Sequence, residues 1–138
     1  MPDLGLELIY VEPGSTYTTS TYVVTFSPGY WIGKYEVTQA EYEAIAGTNP
    51  SRFKGTRHPV ETVTWDDAVA FCTKLTARER AAGRLPAGYH YRLPTEMEWT
   101  YAAKGGLKSQ RQKYCGSDVL DEVAWHRDNS GAQTHPVG

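Results

Sequence analysis

The sequence is short of several things. Cysteine is scarce: Cys72 and Cys115 are the only two in 138 residues, too few to define a disulfide framework. No apolar run approaches the length of a membrane span. An excess of positive charge is missing too, since 14 Lys and Arg against 16 Asp and Glu leave a net charge of −2, which argues against a nucleic-acid partner. The opening Met1-Pro2-Asp3-Leu4 lacks the charged and apolar regions of a signal peptide, and the compartment stays open. No internal repeat is evident. Aromatics, by contrast, are plentiful. Ten tyrosines and four tryptophans suit a loop-rich fold whose irregular segments are pinned by large side chains with a polar tip. The length suits one domain over residues 1–138, able to bury roughly two-thirds of its unfolded surface.

Strand signals come first along the chain. Leu6–Val11 reads as a strand stopped by Pro13-Gly14, and Tyr22–Phe26 as a second, ended by the turn Ser27-Pro28-Gly29. A third covers Tyr30–Val37, with Gly33 read as a bulge. Ser15–Thr21, nearly all Ser, Thr and Tyr, is left open between edge strand and loop. Helices follow. Thr38-x-x-Glu41 is a capping box, with Val37 and Tyr42 placed to staple it, Tyr42, Ile45 and Ala46 facing inward, and Gly47 as the stop. Thr64-x-x-Asp67 opens a second helix, on which Trp65, Ala68, Val69, Cys72 and Leu75 fall at helical spacing and the charged tail Arg78-Glu79-Arg80 is read as solvated. The basic run Lys104–Lys113, with Lys108 and Arg111, is read as a solvated loop.

The third helix begins in Tyr91-Arg92-Leu93-Pro94-Thr95-Glu96-Met97-Glu98-Trp99-Thr100-Tyr101-Ala102-Ala103. Pro94 biases Leu93 toward extended backbone. Thr95 caps the helix with Glu98 reaching back. Met97, Trp99, Tyr101 and Ala102 are the expected buried stripe, and Gly105 the left-handed stop. Three helices sharing one Thr-x-x-acid start, interleaved with short strands, give an α+β domain rich in loops.

The run Arg92-Leu93-Pro94-Thr95-Glu96-x-Glu98-Trp99-x-Tyr101-Ala102-Ala103-x-Gly105-Gly106 closely resembles the central motif of the formylglycine-generating enzyme, or sulfatase-modifying factor, family. Gly33-Lys34-Tyr35-Glu36-Val37-Thr38 and His58-Pro59-Val60-x-x-Val63-Thr64-Trp65-x-Asp67-Ala68 resemble family segments as well, in the family's order. The resemblance implies a compact, C-type-lectin-like α+β fold with little regular secondary structure. It covers most of residues 30–138.

Residues that can carry chemistry are few. None of the four histidines lies at i, i+4 on a helix with a carboxylate, as a zinc-binding pair needs, so His58, His90, His126 and His135 read as structural or surface groups. Cys72 falls on an apolar helix face without a basic neighbour there, which suits an inert thiol or half a disulfide rather than a nucleophile. Cys115 sits in a polar loop, and a bridge between the two is open on sequence. Asp66-Asp67 and Glu96-Glu98 belong to helix starts, where negative charge is favoured. Asp118, Asp121, Glu122, Asp128 and Asn129 are an oxygen-rich group that can be weighed for calcium, without the spacing of an EF-hand. No catalytic residue and no metal ligand is assigned. The loop Asn49–Lys54 mixes Asn, Arg, Phe and Lys on a segment held by helix and turn, a common way to present a binding surface. In the resembled family the loop after the first helix helps line a peptide-accepting groove, which makes Asn49, Arg52, Phe53 and Lys54 the candidate substrate-binding residues.

The chain also departs from the family pattern. Family enzymes use a C-terminal cysteine pair to bind copper and oxidise a substrate cysteine, and that region also carries Gly-Asn-x-x-Glu-Trp, Gly-Gly-Ser and Phe-Arg segments. None occurs here. The N-terminal Phe-x-Met-Gly is replaced by Tyr17-Thr18-Thr19-Ser20, and the usual partner of the cysteine matching Cys72 would lie beyond Gly138. The expectation is therefore a domain incomplete at its C-terminus. Its parent protein would be a metal-dependent oxidoreductase, copper- or iron-using, acting on a protein cysteine or a related thiol or imidazole substrate, and this chain alone would be inactive. The other reading is a non-catalytic, lectin-like module displaying loops to a protein or glycan partner. Neither calls for a membrane, and open strand edges would favour self-association.

Overall fold

The computed structural model describes residues 4–17, 23–110 and 112–138; the expectations for Thr18–Tyr22 and Arg111 lie outside the described residues. Four short strands come first, β1 (Leu8–Val11), β2 (Gly14–Tyr17), β3 (Val23–Phe26) and β4 (Tyr30–Gly33), then three helices, α1 (Gln39–Ala46), α2 (Trp65–Ala81) and α3 (Glu96–Ala103). Two single 3₁₀ turns follow, at Gly106–Lys108 and Leu120–Glu122. The α+β class is as expected. By its contacts the chain forms two compact units, one of residues 4–6, Tyr35–Leu93 and Gln133–Gly138, the other of Glu7–Lys34 and Pro94–Ala132.

The first unit is built around α1 and α2. Both start on the capping boxes read from the sequence. Thr38 Oγ1 accepts from the Glu41 amide at 3.3 Å while the Glu41 carboxylate accepts from the Thr38 amide at 2.7 Å. Thr64 and Asp67 repeat the exchange at 3.1 and 2.9 Å, and the bonds from Thr64 hold the Asp67 carboxyl below its usual range. Gly47 ends α1 at φ 86°, its amide donating to the Glu43 carbonyl at 2.8 Å, a left-handed stop that favours glycine. Tyr42 of α1 stacks on Phe71 of α2 with centroids 5.4 Å apart. Leu6 and Leu75 complete the buried cluster, with Val37, Ile45, Ala46, Val60, Val63, Cys72 and Tyr91 packed around it.

Two expectations for α2 are corrected. Trp65 is 71% exposed. It is the first helical residue, and helix side chains lean toward the N-terminus, so its indole projects past the end of the packed face. Glu79 is not solvated but 1% exposed, because it lies four residues beyond Leu75 on the inward stripe. Its charge is met by the Arg84 guanidinium, whose two nitrogens donate to the two carboxylate oxygens at 2.7 Å each. A buried carboxylate without such a fork would be strongly destabilising.

The second unit holds two antiparallel two-stranded sheets, β1 with β4 and β2 with β3. Opposed residues explain the pairing: Tyr10 faces Trp31 with centroids 5.2 Å apart, and Ser15 Oγ bonds Thr25 Oγ1 at 2.9 Å. β1 and β4 are shorter than the sequence suggested, and Gly33 pairs in register with Leu8 rather than forming a bulge. Gly29 is required by a close approach, since a Cβ there would lie 2.5 Å from the Val11 carbonyl oxygen. α3 starts on its Thr95–Glu98 box, at 3.2 and 2.8 Å, and Gly105 takes the left-handed stop at φ 87°. Tyr101 is buried and stacks on Phe26 at 4.9 Å, and Tyr30 Oη donates to the Glu98 carbonyl at 2.5 Å. Trp99 corrects the expected stripe: it is 58% exposed. The inward positions of this short helix are Glu98 and Tyr101, and Trp99 is turned about 100° from Glu98, the angle of one helical residue.

Candidate functional site

The loop after α1 is held from beneath by one side chain. Gln39, the first residue of α1, is 1% exposed, and all its amide capacity is used. Its Nε2 donates to the Phe53 carbonyl at 2.7 Å and the Pro59 carbonyl at 3.3 Å. Its Oε1 accepts from Asn49 Nδ2 at 3.0 Å and from the Gly55 amide at 3.1 Å. A buried amide satisfied this fully fixes the segments it bonds. The open amides at the start of α1 are met by the same loop: Gln39 N donates to the His58 carbonyl and Ala40 N to the Thr56 carbonyl, at 2.9 and 3.2 Å.

Within the loop, Asn49 Oδ1 accepts from the Ser51 amide at 3.1 Å, an Asx turn that shapes the entry. Ser51 is buried, and its Oγ donates to the Glu61 carbonyl and accepts from the Glu61 amide, at 3.3 and 3.1 Å. The Phe53 amide donates to Glu61 Oε1 at 2.8 Å. Lys54 Nζ donates to the Asn49 carbonyl at 3.0 Å. Gly55 packs on the His58 ring so tightly that a Cβ would come within 2.5 Å of it. His58 Nδ1 in turn bonds Thr134 Oγ1 at 3.0 Å, and Arg57 exchanges bonds with Val137 through its own carbonyl and guanidinium, at 2.9 and 3.0 Å.

The four expected binding residues fall into two pairs. Asn49 and Lys54 line a concavity of about 480 Å³, together with Gln39, Ala40, Glu43, Gly55 and Thr56. Arg52 and Phe53 do not line it. They form a cation–π pair, with the guanidinium 5.4 Å from the ring centroid. Glu43 and Thr56 of the concavity were missed, as were Gln39, Ser51 and Glu61 behind the loop. Their roles are set by contacts across 8 to 20 residues, and no local pattern marks a Gln at the start of a helix as a buried organiser.

The other candidates are not gathered into a site. Asp118 accepts from the Lys113 amide, Asp121 pairs with His126 Nε2 at 2.6 Å, Glu122 accepts from Ser117 Oγ, and Asn129 bonds the His126 amide and the Ala124 carbonyl. These oxygens serve the loop itself rather than a common centre. Among the described residues no three His, Cys, Asp or Glu side chains stand together as metal ligands. Both cysteines are free thiols. Cys72 is half-buried and its thiol is pushed up by burial, which favours the protonated form over a metal-binding thiolate; Cys115 is exposed. This donor set does not fit the copper pair that the family resemblance implies.

Known proteins resemble this chain in sequence and in fold. A match to the sulfatase-modifying factor enzyme 1-like domain spans residues 4–137. A Paenibacillus barcinonensis protein named chaperone protein LppX is 40% identical over 91% of this chain and 55% of its own length. The formylglycine-generating enzyme of Thermomonospora curvata is 35% identical over 93% of this chain and 35% of its own. The chain thus spans between about a third and a half of these relatives. Among solved structures, Treponema denticola variable protein 1 superposes with a TM-score of 0.71 at 30% identity, over 95% of this chain and 63% of that one. CarF superposes at 0.69 and 28% identity, over 95% and 70%. With the family's model matched across residues 4–137, the conclusion is plain: the chain belongs to the sulfatase-modifying factor enzyme 1-like domain family.

Proposed function

We propose that the domain holds an extended segment of a protein partner against the loop Asn49–Lys54. The observation that carries this reading is the fourfold clasp of Gln39. It supplies a fixed concavity beside the exposed Arg52 and the half-buried Phe53, so that little loop order has to be gained on binding. Arg and aromatic side chains are the types that most often anchor protein interfaces. The relative named as a chaperone supports a holding role without chemistry on the partner. A second reading, favoured by the likeness to the Thermomonospora curvata enzyme across 93% of the chain, is the substrate-holding part of a metal-dependent oxidoreductase that acts on a protein cysteine. The residues present in this chain do not fit the metal that such an oxidation would use.

A fluorescein-labelled peptide carrying Cys-x-Pro-x-Arg, titrated against the chain and followed by anisotropy, tests the first reading. Binding should saturate and weaken about tenfold or more in the variant Arg52→Ala/Phe53→Ala, as expected when an interface anchor is truncated. Equal binding by the variant would refute the loop as the site. Aldehyde formation on the same peptide with copper(I), above a metal-only control, would establish the second reading for this chain.

A further inference from the structure

We infer that Glu61 is the positioning residue of this loop: its ionised carboxylate clasps the Phe53 amide and so fixes where Arg52, Phe53 and Lys54 stand, making the loop's geometry depend on pH. The inference rests on the binding role proposed above, but the clasp can be measured without a partner.

Glu61 grips the loop at three points. Its backbone exchanges two hydrogen bonds with the buried Ser51 hydroxyl, and Oε1 accepts from the Phe53 amide at 2.8 Å. The second oxygen, Oε2, is taken by the Thr62 hydroxyl. Thr62 itself has φ 62°, a left-handed conformation that a β-branched residue holds only where its surroundings impose it. The bonds from Ser51 and Phe53 to the neighbouring Glu61 are that imposition. The cations of residues 49–54 are Lys54, which acts on the carboxylate, and Arg52, whose guanidinium lies over the Phe53 ring, while Arg57 further along the loop donates to the Val137 carbonyl; α1 brings the neutral Gln39 amide against the same segment.

The chemistry sets the direction of the pH effect. The Thr62 hydroxyl and then the Phe53 backbone hold the Glu61 carboxyl below its usual range, with smaller help from the Arg52 backbone and the Lys54 charge; desolvation opposes them by less than either of the first two. A carboxyl lowered in the folded state contributes stability that is present above its unfolded value and lost as pH falls through its folded value. A protonated Glu61 is a weaker acceptor for Phe53 N–H, so acid should loosen the loop.

Native-state hydrogen exchange on the full chain tests this, with wild type, Glu61→Ala and Glu61→Gln compared near pH 7 and at about pH 3, below the ordinary glutamate value of about 4.3 because the folded carboxyl is lowered. The Phe53 amide should lose protection about tenfold in Glu61→Ala, the scale of one charge-assisted hydrogen bond, while amides inside α1 and α2 keep theirs. Glu61→Gln retains an oxygen acceptor, so it should recover most of the protection at neutral pH and abolish the acid-induced loss seen in wild type. Phe53 protection that is equal in wild type and Glu61→Ala would overturn the inference. Wild-type protection at Phe53 indifferent to pH would do the same, and needs no variant to fold. Failure of the Cys-x-Pro-x-Arg peptide to bind wild type would instead remove the proposed binding role, with the clasp still read from exchange.

Discussion

The two units of this chain differ in what surrounds their stacked aromatic pair, though each also leaves other large aromatics exposed. In the unit built on α1 and α2, Tyr42 and Phe71 stack inside a cluster with Leu6 and Leu75, and the buried polar groups Gln39, Ser51 and Glu79 are all hydrogen-bonded. In the unit built on the strands and α3, Phe26 and Tyr101 stack, and Trp31, Trp99, Leu107 and Trp125 are each more than half exposed, as Trp65 and Tyr89 are in the first unit. The buried Tyr101 hydroxyl finds no partner among the described residues. A large aromatic therefore contributes to stability according to where it sits on its helix or strand, not according to its size. The loop proposed to bind a partner belongs to the unit in which Gln39, Ser51 and Glu61 tie it down by hydrogen bonds, which is where a fixed binding surface is easiest to hold.

The largest effect should come from the cluster. Leu75 is 3% exposed, and Leu75→Ala should cost about 2–5 kcal/mol through lost burial and the cavity left behind, read as a lower urea midpoint. Glu79→Ala should follow, at about 1–3 kcal/mol, because it unmakes a charged fork. The low end is expected, since the Arg84 side chain is 41% exposed and water can take over its donors. Trp99→Ala should be the smallest, within about 0.5 kcal/mol, as for surface substitutions away from special features. A Trp99→Ala penalty as large as that of Leu75→Ala would break the contrast between the units.

How far the sequence reaches is clear from these same residues. Helix starts were legible because a capping box is written in four consecutive positions, and all three, at Thr38, Thr64 and Thr95, form as read. Family motifs were legible for the same reason, being short and ordered. Burial was less so. Periodicity placed Trp65 and Trp99 inward, but on a helix's first residue or on a helix of eight residues the stripe is too short to fix an orientation. Phe71 and Glu79 were the inward residues that patterning passed over, one unmarked and the other masked by its charge. The site was legible only in outline: Asn49 to Lys54 could be named as a loop, whereas Gln39, Ser51 and Glu61, which hold it, act through bonds across the chain that no local motif encodes.

The measurement that bears most directly on the proposed role is a hydrogen-exchange footprint of the chain with and without saturating Cys-x-Pro-x-Arg peptide. It compares the two units in a single experiment. Slowed exchange confined to the amides of residues 49–56, with β1, β4 and α3 unchanged, is the result expected if the clasped loop holds the partner. Protection appearing instead around Trp31 and Trp99, with the loop unaffected, would contradict it and move the binding surface to the exposed aromatics of the other unit.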